Sequence, residues 1–340
     1  MKQVGRELGV RYVLEGSVRK AANRVRITGQ LVDASTGAHL WADRFDGAPA
    51  DIFDLQDQVT TSVVGAIAPK MEQAEIERAR RKPTESLDAY DYFLRGMAND
   101  HEATPETNRE ALRLFYKAME LDPDFASAYG MAAWCYQWRK ANGWMTNREQ
   151  EVAEVARLAR RAVELGREDA VALGRGGVAL AYVVGDLENG PAFVDQALVL
   201  NPNLAVTWLF SGWVHVYIGK PDTAIEHAAR AMRLSPLDPL RGLMQAVTGY
   251  AHFFGGRYDE AASWAREAIR ERPHFLGGLR VAAASNALAD RLEEARTAMA
   301  RLREADPSHC LSNIKDRIPL RRLEDYAKLE EGLRKAGLPE

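Results

Sequence analysis

The residues in this 340-residue chain that could do chemistry are few and scattered. His215 and His252 lie 37 residues apart, and no third ligand accompanies them at a spacing that would close a zinc site. Cys135 and Cys310 are separated by 175 residues and sit in no motif that lowers a thiol pKa, so neither reads as a nucleophile. Gly174-Arg-Gly-Gly177 has the outline of a phosphate loop but lacks its lysine and hydroxyl residue, and it falls within a helical pattern where glycine serves close packing. Glu293 and Glu294 are adjacent at a helix start, where the helix dipole favours acids, and they converge on no pocket. The expectation is a chain with no catalytic, cofactor or metal site, and with binding as its chemistry.

Composition narrows the partners. The chain is 46% hydrophobic and 27% charged with a formal net charge of -3, which suits neither a disordered segment nor a binder of polyanions, so nucleic acid is excluded as the main partner. The densest basic run, Arg78, Arg80, Arg81 and Lys82, follows Glu72, Glu75 and Glu77 and reads as a solvated helix face. The longest apolar stretch, Val178 to Val184, falls far short of the roughly 20 residues that span a bilayer, and the N-terminal MKQVGRELGV lacks an apolar signal core. Two cysteines without framework spacing suit a reducing compartment. A cytoplasmic protein without membrane contact is expected, built as two or three domains or one elongated array.

The organising signal is a repeat. Prolines at 123, 202, 236, 273 and 307 each end an Ala-rich helical pattern, with intervals of 79, 34, 37 and 34. Between Ala205 and Pro236, Trp208 stands at place 4, Gly212 at 8, Gly219 at 15, Ala224 at 20 and Ala231 at 27. Gly249, Gly256, Ala261 and Ala268 hold the same places before Pro273, and Gly96, Ala111 and Ala118 before Pro123, after extra residues around Thr104. Ahead of Pro307, Ala283 and Ala295 fit but Leu302 replaces the small residue; ahead of Pro202, Ala197 fits and Gly190 with Pro191 opens the second helix. A unit from Ala126 to about Arg167 lacks the proline and carries an insert, Arg139 to Arg148. Two antiparallel helices approach closely only where side chains are small, and proline stops the second helix. The pattern resembles the 34-residue tetratricopeptide repeat, which implies six helix-turn-helix units stacked into a right-handed superhelix over residues 87–309. After it, Leu320, Leu323, Tyr326, Leu329 and Leu333 mark a terminal helix in 310–340, closed by Gly337 and Pro339. That helix either caps the last apolar face or folds back into the groove.

Residues 1–86 are a different kind of chain. Val10 to Lys20, Arg24 to Asp33 and His39 to Asp46 are strand-like, and the middle one alternates, with Val25, Ile27 and Leu31 on one face and Arg24, Arg26, Thr28 and Gln30 on the other. Ala-Ala-Asn and Ser-Thr-Gly supply the turns. Asp51 is placed to cap a helix carrying Ile52, Leu55, Val59 and Val63 on one face, with Pro69 expected to interrupt or kink it. The result is a mainly α protein with a small, incomplete α+β domain in front.

The stretches GVRYVLEGSVR at 9–19, NRVRIT at 23–28 and GAHLWAD at 37–43 resemble the second half of the TolB-like N-terminal domain. In many bacteria that domain joins a class III adenylate or guanylate cyclase domain, or a winged-helix domain, to tetratricopeptide repeats. The resemblance continues through LDAYDYFLRG at 87–96, LSPLDP at 234–239 and EGLRKAGLPE at 331–340. It implies further strands and helices ahead of residue 9, so the chain is expected to begin partway through its family's domain. The cyclase metal-binding aspartates belong to a separate upstream domain, and no catalytic residue carries over.

The function this implies is a non-enzymatic protein-binding scaffold, the regulatory or sensory region of a cyclase-type signalling protein. The alternative is a fragment of a cyclase whose catalytic domain lies upstream of Met1. Family geometry exposes places 2, 5, 9, 12 and 13 of each first helix to the concave groove. Those places hold Trp134 and Trp138, Tyr182, Trp213 and Tyr217, then Tyr250, Phe253 and Phe254. Arg175 and Arg280 are the cations at place 5, and no lysine and asparagine clamp for a terminal carboxylate is present. A protein or peptide anchored by apolar or aromatic groups is therefore the expected ligand, with packing of these rings between helices as the competing reading.

Overall fold

The computed structural model describes residues 1–21, 24–48, 52–82, 87–100 and 104–340. The chain divides into two compact units, Met1–Thr84 with Arg233–Asp238, and Glu85–Met232 with Pro239–Glu340.

In the first unit a short helix α1 (Lys2–Leu8) precedes an antiparallel meander of β1 (Tyr12–Ala21), β2 (Arg24–Asp33) and β3 (His39–Gly47), followed by α2 (Ile52–Arg81). β1 pairs Tyr12 with Asp33 and Ala21 with Arg24, and a bulge lies between Leu31 and Val32 where β2 meets β3. The alternation in β2 holds in part: Val25 and Leu31 are buried, but Ile27 is half-buried like Arg26, and Val32 beyond the bulge is buried as well; Leu55 of α2 is buried too, its side chain seated against Gly47. In the second turn the Asp33 carboxylate accepts from the backbone N–H of Ser35 at 2.8 Å. α1 was not expected from its sparse apolar residues. It seats because Gly5 lets the backbone meet Ala34, where a Cβ would lie 2.4 Å from the alanine methyl. α2 is not interrupted at Pro69, which rules out the first of the two outcomes expected there; it runs on to a carboxylate anchor, where Glu75 accepts from Arg11 and from the Tyr12 hydroxyl, each at 2.6 Å. Asp51 and the Ala22–Asn23 part of the first turn lie outside the described residues, as does the Ile52 side chain.

Among the described residues the second unit contains six helix hairpins: α3 (Ala89–Asp100) with α4 (Pro105–Leu121), α5 (Ala126–Asn142) with α6 (Arg148–Leu165), α7 (Ala170–Ala179) with α8 (Asn189–Leu200), α9 (Ala205–Tyr217) with α10 (Pro221–Leu234), α11 (Arg241–Phe254) with α12 (Tyr258–Glu271), and α13 (Leu276–Leu288) with α14 (Leu292–Ala305). Every marker proline stands two residues beyond its helix, after Leu121, Leu200, Leu234, Glu271 and Ala305. The small residues are where the hairpins close. A Cβ on Gly96 would sit 2.5 Å from the Phe115 ring, and one on Gly249 would sit 3.4 Å from the Ala261 carbonyl. Ala111, Ala118, Ala224, Ala231, Ala261, Ala268 and Ala295 are fully buried, as is Leu302 in the last unit.

Three local departures matter for the site. The expected insert at Arg139 to Arg148 is half helix: no glycine or proline intervenes before Gly143, whose left-handed φ of 71° ends α5, and the loop is 143–147. α7 continues into a π-helical turn, Leu180–Val184, which the periodicity did not reveal. After Pro307, the chain passes through α15 (Ile314–Arg317) and α16 (Leu323–Lys335). α16 packs on α13, with Gly332 against the Ala284 backbone, and Leu329 and Leu333 are fully buried; Leu323 is not, being exposed. The stretch leading into it crosses the C-terminal ends of several first helices. Arg321 N–H donates to the Tyr217 carbonyl at 2.8 Å and Arg322 to that of Gly219 at 3.2 Å. Lys328 of α16 likewise donates to the Phe254 carbonyl at 2.8 Å.

Candidate functional site

The first helices α5, α9, α11 and α13, with the π turn, converge on a cleft of about 60 Å³ covered by Arg317 and Ile318. Six of the eight expected rings line it: Trp134, Trp138, Tyr182, Trp213, Tyr217 and Tyr250. They form a nearly continuous ring-to-ring path. Tyr182 stacks on Tyr217 with centroids 5.7 Å apart, Tyr217 on Trp213 at 5.9 Å, and Trp213 meets Tyr250 at 5.5 Å. Trp134 meets Trp138 edge-on at 5.7 Å and touches Phe210, a lining residue the place pattern missed, at 5.4 Å. Of the six, only Trp213 is half-buried; the others are buried. Phe253 and Phe254 do not line the cleft. Phe253 is fully enclosed, packing on Phe254 at 5.3 Å and Tyr258 at 5.6 Å, because it faces its own hairpin partner α12.

The cleft lining contains no Asp or Glu and two arginines, Arg280 and Arg317. Arg280 comes from the second turn of α13 and is 4% exposed. Its Nε donates to His309 Nε2 at 3.2 Å, and Nη1 to the Tyr250 hydroxyl at 3.3 Å. Accepting at Nε2 leaves the His309 proton on Nδ1, 3.6 Å from Asp306, which also pairs with Arg317 at 2.8 Å. Burial, then Arg280 and Arg317, push the His309 pKa down to about 2, so the ring is neutral. Arg175 lies over the rings of Trp134 and Phe210, 5.2 and 5.8 Å from their centroids, and Arg272 lies 5.2 Å from that of Trp138. The Tyr182 hydroxyl donates to the Arg317 carbonyl at 3.1 Å, tying the cover to the wall. Burial raises the Tyr182 pKa to about 12, and the Tyr217 hydroxyl is likewise pushed up.

Behind the wall, Lys140 Nζ donates to the Tyr182 carbonyl at 2.5 Å and sits 4.7 Å from that ring. Burial and then Arg148 bring its pKa down to about 7. His215 and His252 do not form a pair with each other. His215 Nδ1 bonds the Ser211 carbonyl at 2.8 Å and its ring meets His227 at 4.8 Å, while His252 accepts from Arg257 at 2.9 Å. Among the described residues no cluster of three His, Cys, Asp or Glu side chains could hold a metal ion. Cys135 is fully buried, which holds its thiol protonated.

No protein-family model matches this chain. A stretch of 164 residues, 48% of the chain, is 37% identical to "Putative adenylate cyclase 3" of Rhizobium meliloti (strain 1021), of which it spans 28%. Another of 171 residues, 49% of the chain, is 25% identical to "Transcriptional regulator HilA" of Salmonella typhimurium (strain LT2), of which it spans 30%. The chain thus covers under a third of these curated relatives. Among solved structures, a chain of the APC/C hetero-tetramer Cut9–Hcn1 superposes with a TM-score of 0.55 at 15% identity, over 84% of this chain and 49% of that one. Among the described residues no helix is long and apolar enough to cross a membrane. The fold is a tetratricopeptide-type helical array preceded by a small α+β unit, and part of the sequence is similar to a cyclase-named protein.

Proposed function

We propose that this chain is a non-enzymatic binding scaffold, the regulatory or sensory region of a cyclase-type bacterial signalling protein, with its ligand held in the aromatic cleft. The observation that carries the reading is the cleft: six rings from four separate elements line one recess whose surface offers hydrogen-bond donors and π faces but no carboxylate. Such a surface suits recognition of an apolar or aromatic-anchored ligand. The partial likeness to a cyclase-named protein supports the signalling assignment. In this reading residues 1–86 belong to a TolB-like domain, 87–309 form the array and 310–340 cap it, in a cytoplasmic protein. The test is direct. Purified chain given ATP or GTP with a divalent metal yields no cyclic nucleotide, and Trp213→Ala, which removes the most exposed of the six rings, abolishes retention of the partner captured by the parent at a cost of only about 1 kcal/mol of stability. Intact retention by that variant refutes the site.

A second reading, a cyclase whose catalytic domain precedes Met1, is favoured by the match covering only 28% of its relative. An in-frame cyclase sequence upstream in the DNA decides for it.

A further inference from the structure

We propose that the cleft takes a small organic acid, a carboxylate on a short apolar body of a few carbons, with Arg280 as its anion anchor. The inference rests on the cleft being the binding surface, and it adds an anionic group to the apolar or aromatic-anchored ligand expected from the sequence.

Arg280 is a buried cation whose ordered partners are both neutral, the His309 imidazole and the Tyr250 phenol. Among the described residues it makes no ion pair, whereas the other lining arginine, Arg317, is matched by Asp306. A charge taken out of water is tolerated when a counter-charge meets it, and nothing in the lining supplies one. The two bonds use Nε and Nη1, which leaves Nη2 for an incoming carboxylate.

The remaining walls fix the rest of the ligand. Trp134, Trp213, Tyr217 and Tyr250 offer ring faces and edges to an apolar body. Size excludes more. About 60 Å³ is room for roughly four waters at about 15 Å³ each, which excludes a ring-sized body along with an extended peptide. A bare inorganic anion would leave the rings unused.

Calorimetric titration of the whole chain with acetate and propionate, against acetamide and propionamide, separates charge from body. We expect at least one acid to bind ten-fold or more tighter than its amide. Arg280→Gln should remove that preference and Arg280→Lys restore part of it. Tyr250→Phe, which keeps the ring and frees Nη1, should retain it. Should Arg280→Gln fail to fold, the acid and amide comparison on the unaltered chain still decides. Equal binding of acids and amides overturns the anion anchor while leaving the cleft as an apolar site. Absence of binding by all four probes overturns the small-acid proposal, while the cleft as a binding surface is decided separately by the Trp213→Ala retention test. Binding confined to a peptide ending in a free carboxylate, with the small acids silent, also overturns the proposal.

Discussion

Arg280 Nε donates to His309 Nε2 across 3.2 Å, joining the first helix of the last hairpin to the residue that follows its closing turn. His309 is enclosed and neutral, so the unfolded chain takes up a proton near pH 6.5 that the folded chain refuses down to about 2. The unfolded state binds more protons across that window, so stability falls as pH drops below about 6.5. His309→Gln keeps an acceptor and removes the titration. Its melting temperature should fall less steeply than the parent's between about pH 6.5 and pH 4. Parallel curves would place the acid sensitivity elsewhere.

Lys140 gives a second pH limb. A free lysine keeps its proton up to 10.5, and this one loses it near 7, so the fold gains stability as pH rises through that interval. For Lys140→Met, the melting temperature relative to the parent should be most favourable at or below pH 7 and decline towards 10.5. A constant offset over that range, read by circular dichroism, contradicts a depressed lysine.

Phe253 and Trp213 should part company. Phe253 has no exposed surface, so Phe253→Ala should cost about 3 to 5 kcal/mol of stability. Trp213 is half-buried, and Trp213→Ala should cost about 1 kcal/mol, with its effect felt in ligand binding. Chemical denaturation of both variants measures this; similar losses would put Trp213 in the core.

On the sheet, Leu14 and Val18 of β1 are 50% and 70% exposed although their partners Leu31 and Ile27 lie on the inward face of β2. β1 is an edge strand, and the apolar side chains there invite association. Val18→Lys should leave stability within about 0.5 kcal/mol and lower self-association in sedimentation at high concentration. An unchanged sedimentation profile removes this face from consideration.

Much of the array was legible because each helix boundary is written in one residue: a proline two positions past the end, or a small residue where backbones meet. The β2 alternation was equally local. α1 was not, since it depends on Gly5 meeting Ala34, nor was the π turn, which depends on how Leu180 to Val184 are packed. The place pattern put eight rings on one side of the first helices, but it could not say whether that side is open. The openness follows from small rotations summed over successive hairpins and from the path of residues 310–340, and neither is carried by any single position. The Arg280 partnership escaped for the same reason, because His309 lies beyond the last proline of the repeat.

The crossing segment has a consequence for how the molecule comes apart. In a linear array each unit answers only to its neighbours, so ends fray and unfolding can proceed piecemeal. Here Tyr182 is bonded to Arg317 and Gly219 to Arg322, pairs separated by 135 and 103 positions. The last hairpins cannot loosen until those ties release, and the ties cannot form until the intervening hairpins are in place. The array should therefore melt in one cooperative step and fold more slowly than its local helical contacts alone would allow, behaving in solution more like a closed globule than an open spring.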